Sequence, residues 1–349
     1  MIKNNIEKTN ERLKKFADAK KSTLIQVKSI KEFSVKRKRL DSWGLPDNME
    51  EYLDYRLALF LEYWENRKGL DDDIIPAINP WYGIAEHTAF IGGTAEFGDE
   101  TSWHHSFIND WAEDRHKATI DDNNTWLRLV VEGIEYLSDK CDGSYAVKLR
   151  GGEGAMDIAN IARGNEMFYD FFEHPEELHE FLDFCAKAAR HTLTKQAEAA
   201  GSYMGGIITG FDIWLPGHST GHLSEDASVM ISPDQFREFA LPHTNTITAG
   251  FDHVFMHTHS AGSQNIPEIA KIDNLDYLEI SNDPNAPNSI EIYKDLADQL
   301  EDMTIVVSTT IDEIKDNIEF LADKKTILWY DAETMKDAEE AVSLVRSFT

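Results

Sequence analysis

Short apolar runs alternate with amphipathic helix patterns along most of this 349-residue chain. A strand that returns to its sheet through a helix lies parallel to its neighbour, so the alternation predicts a mostly parallel α/β sheet. The number of candidate strands is about what an eightfold barrel requires. These strands are Thr23–Val27, Ile74–Ile78, Tyr145–Leu149, Met204–Thr209, His253–His257, Asp276–Ile280, Thr304–Ser308 and Thr326–Tyr330. We therefore predict an α/β fold, a (β/α)8 TIM barrel over 71–349 with an N-terminal helical extension over 1–70.

Helix boundaries are well marked in the second half of the chain. Pro175 stands where the first helical residue is expected, and Gly201 is placed to end that helix. Capping boxes, in which a hydroxyl and a Glu or Gln three residues later satisfy the first backbone amides, are predicted at Ser232–Gln235 and Thr310–Glu313. The sequence therefore predicts one barrel domain without an internal linker.

Composition restricts the compartment and the partners. The apolar content of 42% suits a large core, and no window approaches the ~20 apolar residues of a transmembrane helix. The first residues lack the apolar stretch of a signal peptide. The two cysteines, Cys141 and Cys185, are too few for a disulfide framework, which favours a reducing, cytoplasmic setting. The net charge of −29 argues against nucleic acid and anionic membranes as partners.

The charge is unevenly distributed. Residues 1–39 carry 13 basic and 4 acidic side chains, a net charge of +9, so the remaining residues carry −38. The run Lys36–Arg39 can dock an acidic partner or nucleic acid, or it can lie against the acidic body of its own chain. We favour the second interpretation, because the two parts are strongly complementary.

The segment Val254–Ser260 contains the clearest chemical signal. Three apolar residues predict a buried strand, and His257 and His259 follow with a spacing of two, which places both imidazoles on one face. Imidazole is the commonest protein ligand of zinc and related ions. The motif is short, and two histidines satisfied by local hydrogen bonds are the alternative. At the carboxyl end of a barrel strand, however, the pair would lie where barrels keep their active sites.

Other polar side chains follow the predicted strand ends. Asp331 can complete a metal site of two histidines and a carboxylate, or it can cap a helix. Glu225, Asp226 and Asp212 are candidates for proton transfer, although capping and salt-bridge roles are open for them as well. The candidates for substrate contact are Trp81, Tyr82, Trp214, His218 and Glu279. Aromatic rings suit a methoxyaromatic or a quaternary amine, but each ring taken singly also suits ordinary packing.

Longer motifs in the second half of the chain resemble the uroporphyrinogen decarboxylase superfamily. The similarity covers roughly residues 140–345, and its order and spacing make it fairly specific. The segments that carry it are Asp157–Ala159 with Arg163–Gly164, Phe172–Leu178 with Pro175 and Glu176, Glu225–Pro242, His257–Gly262 and Leu275–Leu278. The resemblance implies a (β/α)8 barrel. It also implies one of two activities, a metal-free porphyrinogen decarboxylase or a zinc-dependent methyltransferase that exchanges methyl groups with a corrinoid on a partner protein.

The residues favour the methyltransferase branch. The arginine-rich Met-Arg-Gln-Ala-Gly-Arg-Tyr segment with which true decarboxylases grip a polycarboxylate is absent, and the N-terminal segment reads Lys36–Trp43 instead. The resemblance implies zinc bound by a His-x-Cys pair and a later Cys. Here His257 matches the first ligand, His259 replaces the second, and Asp331 stands near the third. This set is harder than a thiolate site, which favours activation of an oxygen or nitrogen leaving group.

We therefore predict a methyltransferase with one zinc ion per chain. It would move a methyl group between a small methoxy compound or methylamine and a corrinoid (cobalamin) cofactor on a partner protein. The resemblance is also compatible with a homodimer. Two alternatives stay open at this point, a metal-free decarboxylase acting through Asp212, Glu225 or Asp226, and a non-catalytic corrinoid-associated subunit.

Overall fold

The computed structural model describes all 349 residues and divides them into thirteen strands and fourteen α-helices. The strands, numbered in chain order, are β1 (Ser22–Ile30), β2 (Ala77–Ile78), β3 (Thr94–Phe97), β4 (Ser102–His105), β5 (Ala146–Val147), β6 (Gly152–Glu153), β7 (Gly206–Ile208), β8 (Trp214–Pro216), β9 (Leu223–Ser224), β10 (Val254–His259), β11 (Leu275–Ser281), β12 (Thr304–Ser308) and β13 (Lys325–Ala332).

The helices carry the connections between the strands. They are α1 (Ile6–Asp18), α2 (Met49–Arg67), α3 (Trp111–Asp114), α4 (Thr125–Asp139), α5 (Ala155–Arg163), α6 (Met167–Glu173), α7 (Pro175–Ala200), α8 (Pro233–Gln235), α9 (Leu241–Thr248), α10 (Ile266–Ile269), α11 (Ser289–Leu296), α12 (Ile311–Asp316), α13 (Ile318–Ala322) and α14 (Met335–Arg346). A π-helical turn, Phe236–Ala240, joins α8 to α9. No helix combines the length and the apolar content needed to cross a bilayer.

The central sheet is a parallel barrel. Seven strands hydrogen-bond in the order β1-β13-β12-β11-β10-β9-β6, and β2 pairs in parallel with β5. β5 and β6 are two parts of one barrel strand, separated by four residues. A backbone hydrogen bond of 2.8 Å from Asp73 to Ile25 links the segment before β2 to β1 and closes the ring of eight. The prediction of a TIM barrel is therefore confirmed.

The helix boundaries follow the predicted signals. Pro175 is the first residue of α7, and Gly201 ends it with a φ of 66°. Both capping boxes are present, at Ser232 with Gln235 and at Thr310 with Glu313. Most of the core lies between the helices and the outer face of the barrel, as a cluster of 56 buried apolar residues.

One predicted barrel strand has another role. Met204–Thr209 contributes β7, but β7 pairs antiparallel with β8 and forms a hairpin. The turn follows from Asp212, which adopts a φ of 66°, and from the Thr209 hydroxyl, which accepts from the backbone amides of Phe211 and Ile213. The fourth strand of the ring is β9, which lies in a segment for which the sequence predicted no strand.

The predicted boundary at residue 70 does not separate two units. β1 lies within the predicted extension, yet it pairs with β13 along its whole length. Residues 1–21 therefore precede the barrel, and α2 lies between its first two strands. Parts of the basic N-terminal segment pair with the acidic body, although within the run Lys36–Arg39 only Arg39 forms ion pairs, with Asp41 and Asp99. Lys3 pairs with Asp72 at 2.7 Å, and Arg12 pairs with Asp73 at 2.6 Å.

Candidate metal centre

β10 places two imidazoles at the carboxyl end of the barrel. Val254, Phe255 and Met256 are fully buried, and they anchor the strand in the core. His257 and His259 follow on the inner face, with their Nε2 atoms 3.2 Å apart. The histidine pair therefore lies at the end of the barrel where such folds place their active sites.

Asp226 supplies the third potential ligand. It follows β9, the strand next to β10, and its Oδ1 lies 3.7 Å from Nε2 of His257 and 3.4 Å from Nε2 of His259. Ligand atoms about 2.0–2.1 Å from a tetrahedral zinc ion lie about 3.3 Å apart. All three donor atoms lie within 4.8 Å of one another. Two imidazoles and a carboxylate at these separations fit a divalent ion such as zinc.

Two further carboxylates orient the imidazoles. Nδ1 of His257 is hydrogen-bonded to Oε2 of Glu279, its register partner on β11, and Nδ1 of His259 lies 2.8 Å from Oδ1 of Asp283. In each ring the carboxylate engages one nitrogen and leaves Nε2 facing the candidate metal position. Carboxylate–histidine pairs of this kind orient the ring and raise its basicity as a ligand in metal sites.

The electrostatics of the three residues reflect this pairing. Burial alone lowers the pKa of His257, but the hydrogen bond and the charge of Glu279 raise it above its ordinary value. Hydrogen bonding to Asp226 raises the pKa of His259 to about 9, against the effect of burial. Burial opposes ionisation of Asp226, yet the two histidines hold its pKa below the usual range. The carboxylates thus make both imidazoles more basic, and a metal ion bound there would take the place of their protons.

A buried carboxylate positions the loop that carries Asp226. Asp157 accepts hydrogen bonds from the backbone amides of Asp226, at 2.6 Å, and Ala227, at 2.7 Å. Glu153 and Glu225 are buried nearby, and burial together with the neighbouring Asp157 raises the pKa of both. Burial and the charge of Asp157 thus both favour the neutral form of these two carboxyl groups.

Glycine at position 154 makes this close packing feasible. A Cβ atom there would lie 2.1 Å from Oε1 of Glu225. A Cβ atom at Gly151 would likewise lie 2.1 Å from Nδ1 of His222, so both glycines leave room for side chains from the next strand.

The hairpin forms an apolar floor beneath the histidines. Phe211, at its tip, stacks on the ring of His257 with a centroid distance of 5.2 Å, and it also contacts Trp329 at 5.6 Å. The opposite side is open, because the side chain of Asp226 is 52% exposed and that of His259 is 27% exposed. A ligand therefore reaches the candidate metal position from the Asp226 side.

Asp331 does not join this group. It lies on β13, three strands from β10 around the ring, and its carboxylate accepts a hydrogen bond of 2.6 Å from Ser29. Its donor atoms are not within 4.8 Å of those of the histidine pair. The predicted third ligand is corrected to Asp226, which we had considered for proton transfer.

The other predicted acidic residues have supporting roles. Asp212 is at the hairpin turn and pairs with Lys28 and Lys148, each at 2.5 Å. Glu225 is buried and accepts from the hydroxyl of Thr244 on α9 at 3.0 Å. Glu279 is also fully buried, so it orients His257 rather than contacting a substrate.

Three of the predicted substrate contacts lie elsewhere. Tyr82 is fully buried and packs against Tyr52, and Trp214 is buried on β8, with its indole N–H donating to the carbonyl of Tyr203. His218 is exposed and stacks on Phe251 near the amino end of β10. Tyr82 is excluded by its burial, whereas for Trp214 and His218 the order along the chain does not define which end of the barrel each one reaches.

Trp81 remains a candidate for substrate contact. It follows β2 at the carboxyl end of the barrel and lies 4.3 Å beneath the guanidinium of Arg150. Arg150 was not among the predicted site residues, although its position directly after the apolar run Tyr145–Leu149 indicates a charged side chain at the end of a barrel strand. Phe211 and the positioning carboxylate Asp157 carried no signal of their own, because their roles depend on contacts far apart in sequence.

Comparison with known proteins agrees with this architecture. The family model for uroporphyrinogen decarboxylase (URO-D) matches residues 92–306. No curated protein matches the sequence of this chain. Among solved structures, a methyltransferase from Methanosarcina mazei is similar, with a TM-score of 0.65 and 13% sequence identity over 97% of this chain and 98% of that chain. This likeness concerns the fold, whereas the family match covers more than half of the sequence. The chain thus belongs to the uroporphyrinogen decarboxylase family.

Proposed function

We propose that this protein is a metal-dependent methyltransferase that holds one zinc ion on Asp226, His257 and His259. The observation that carries the proposal is the spacing of the three donor atoms, 3.2–3.7 Å, with a carboxylate behind each imidazole. Donor groups arranged in this way in a barrel mouth are typical of a catalytic metal site with a position left for substrate.

The donor set determines which substrates suit the site. Two nitrogens and an oxygen form a harder site than a thiolate set, which favours a methyl-bearing oxygen or nitrogen over sulfur. A zinc ion bound there supplies Lewis acidity that stabilises the charge left on that atom when the methyl group departs. The methyl group would be exchanged with a corrinoid carried by a partner protein.

The residues of the chain bind and orient the reactants. Glu279 and Asp283 keep Nε2 of each histidine directed at the metal position, and the Phe211 ring excludes water from below. The exposed side, next to Asp226, leaves a path for the substrate and for the corrinoid. This division of roles requires no proton transfer from Glu225, which has no solvent-exposed surface to offer.

Metal content tests the proposal directly. We would measure zinc, iron, cobalt, nickel and manganese by plasma mass spectrometry on the purified wild-type protein and on Asp226→Asn, with Asp331→Asn as the matched control. About one zinc per chain is expected in wild type and in the Asp331 variant, and a large loss in the Asp226 variant. No bound metal after zinc is added back would reject the proposal and favour a metal-free decarboxylase.

Turnover separates an enzyme from a non-catalytic subunit. Zinc-loaded protein is assayed with cob(I)alamin and a panel of methoxy compounds and methylamines, following methylcobalamin by absorbance. Methyl transfer that requires Asp226 supports the proposal. Stoichiometric zinc with no transfer from any donor would instead indicate that the site is structural.

A further inference from the structure

Arg56, on α2, is a half-buried arginine whose guanidinium lies over the ring of Tyr52 but has no acidic partner. Its side chain forms no ion pair, and its Nη1 atom is fully enclosed with no hydrogen-bond acceptor. The other deeply placed arginines differ, since Arg67 pairs with Asp72 and Arg346 pairs with Asp73. Enclosing a charged nitrogen without a hydrogen-bond acceptor costs free energy, and an arginine does not lose its proton in a protein. The lack of an acceptor on the chain therefore points to an anion that binds there.

A second arginine, Arg150, lies near Arg56. Arg56 lies over the ring of Tyr52 at 5.9 Å, and the hydroxyl of Tyr52 donates to the carbonyl of Trp81, whose ring lies beneath Arg150. Arg150 donates through Nε to Glu86, and its two terminal nitrogens have no partner on the chain. The second oxygen of Glu86 accepts from the backbone of Tyr82. Glu86 is thus engaged by Arg150 and Tyr82, which leaves the guanidinium of Arg56 without a carboxylate partner in a chain whose net charge is −29.

Arg150 lies at the same end of the barrel as the metal centre, and Arg56 is linked to it through Tyr52 and Trp81. Arg150 follows β5, and Trp81, on which it stacks, follows β2, so both lie at carboxyl ends of barrel strands. His222 lies between the two sites, since the backbone amide of Gly152 donates to its carbonyl at 3.0 Å and a Cβ atom on Gly151 would meet its ring. Phe211 contacts the rings of His222, at 4.5 Å, and His257.

We propose that Arg56 and Arg150 bind the carboxylate of a small methylated carboxylic acid whose methyl-bearing oxygen or nitrogen reaches the metal centre. This inference rests on the proposed function and names its substrate class. A guanidinium presents two parallel N–H groups that match a planar carboxylate, and the Trp81 ring beside Arg150 favours a flat ligand. Phosphate, which arginines also bind, is distinguished by the test below.

The test measures binding without turnover. We would determine Kd by calorimetry for 4-methoxybenzoate, methoxyacetate and N,N-dimethylglycine, each against its neutral amide, and for inorganic phosphate. The protein is the full chain, both zinc-loaded and chelator-stripped. At least one acid should bind about 10- to 100-fold more tightly than its amide in both forms, because charge-assisted hydrogen bonds to the arginines do not require the metal.

Variants identify the residues responsible. Arg56→Met removes the charge at similar volume and should abolish the preference for the acid while leaving stability and zinc content unchanged. Arg128→Met, on the exposed face of α4, is the matched control and should retain the preference. The double variant Glu86→Gln/Arg150→Gln removes both members of the buried ion pair, and it should also lose the preference for the acid.

The outcomes are separable from those of the proposed function. Equal binding of acids and amides, a preference that survives in Arg56→Met, or tighter binding of phosphate than of every acid would each overturn the inference. Stoichiometric zinc without a preference for acids overturns only the inference of an arginine site and leaves the proposed function standing. A preference for acids in a protein that binds no metal supports the arginine site and rejects the proposed function.

Discussion

At the scale of single residues, each metal-facing imidazole depends on a carboxylate that the metal would not touch. Glu279 is fully buried and bonds Nδ1 of His257 and the hydroxyl of Ser281. A carboxylate in this position fixes the ring and raises its basicity, and its loss typically costs 10–100-fold in metal affinity or activity. We therefore expect the contribution of Glu279 to be visible in zinc affinity.

Glu279→Gln should weaken zinc binding by about 10- to 100-fold, because a neutral amide supports the imidazole less well than a carboxylate. Competition with a chromophoric chelator measures the affinity. Asp276→Asn is the matched control, since Asp276 lies on the same strand and bonds His253 at 2.6 Å, away from the metal position. Equal affinities in the two variants would contradict this role for Glu279.

The residues of the site could be predicted from sequence only in part. The spacing of His257 and His259 predicted a pair on one face, and that pair is present. Asp226 and Asp331 both follow barrel strands, so sequence alone gave no reason to choose between them. The choice depends on ring order: Asp226 follows β9, which adjoins β10, whereas Asp331 lies on β13.

At the scale of elements, the β7–β8 hairpin links the floor of the site to the barrel wall. Its turn residue Asp212 pairs with Lys28 on β1 and with Lys148 next to β5, which ties the hairpin to two barrel strands. Sequence predicted β7 correctly as extended but assigned it to the ring. An isolated apolar run does not reveal its pairing partner, and the turn at Asp212 requires a positive φ that sequence patterns indicate poorly for a residue other than glycine.

Asp212→Asn should destabilise the fold by about 3 kcal/mol, because it leaves the buried ammonium of Lys148 without its counter-charge. Asparagine tolerates the same left-handed backbone, so the change isolates the charge effect from backbone strain. Urea unfolding measures the free energy. Asp122→Asn is the control, since Asp122 also pairs with two side chains, His191 and Lys195, but on the surface. A similar loss in both variants would refute the argument.

At the scale of the whole molecule, the two ends of the chain complete the barrel together. β1 and β13 pair through eight register positions, although about 300 residues separate them. The alternation of strands and helices predicted this closed architecture, because parallel strands with helical crossovers leave few alternatives. The boundary at residue 70 was wrong because β1 precedes a long helical excursion, and nothing local indicates that its partner is the last strand.

The N-terminal segment forms several ion pairs with the rest of the chain, and the pair of Lys3 with Asp72 is the most deeply buried of them. Lys3 is 2% exposed, and its ammonium donates to Asp72 Oδ1 and to the carbonyls of Asp72 and Ile74. Lys21 belongs to the same basic segment, but its pair with Asp323 is exposed on both sides. Buried pairs lose far more than surface pairs when one partner is removed.

Lys3→Gln should therefore lower the free energy of unfolding by about 3 kcal/mol, toward the lower end of the range for buried pairs because Asp72 keeps Arg67 as a partner. Lys21→Gln should leave stability unchanged within error. Urea unfolding at constant ionic strength compares the two variants directly. If Lys21→Gln proved as costly as Lys3→Gln, then attachment of the segment would depend on its overall charge, and stability of both proteins would fall steeply with added salt.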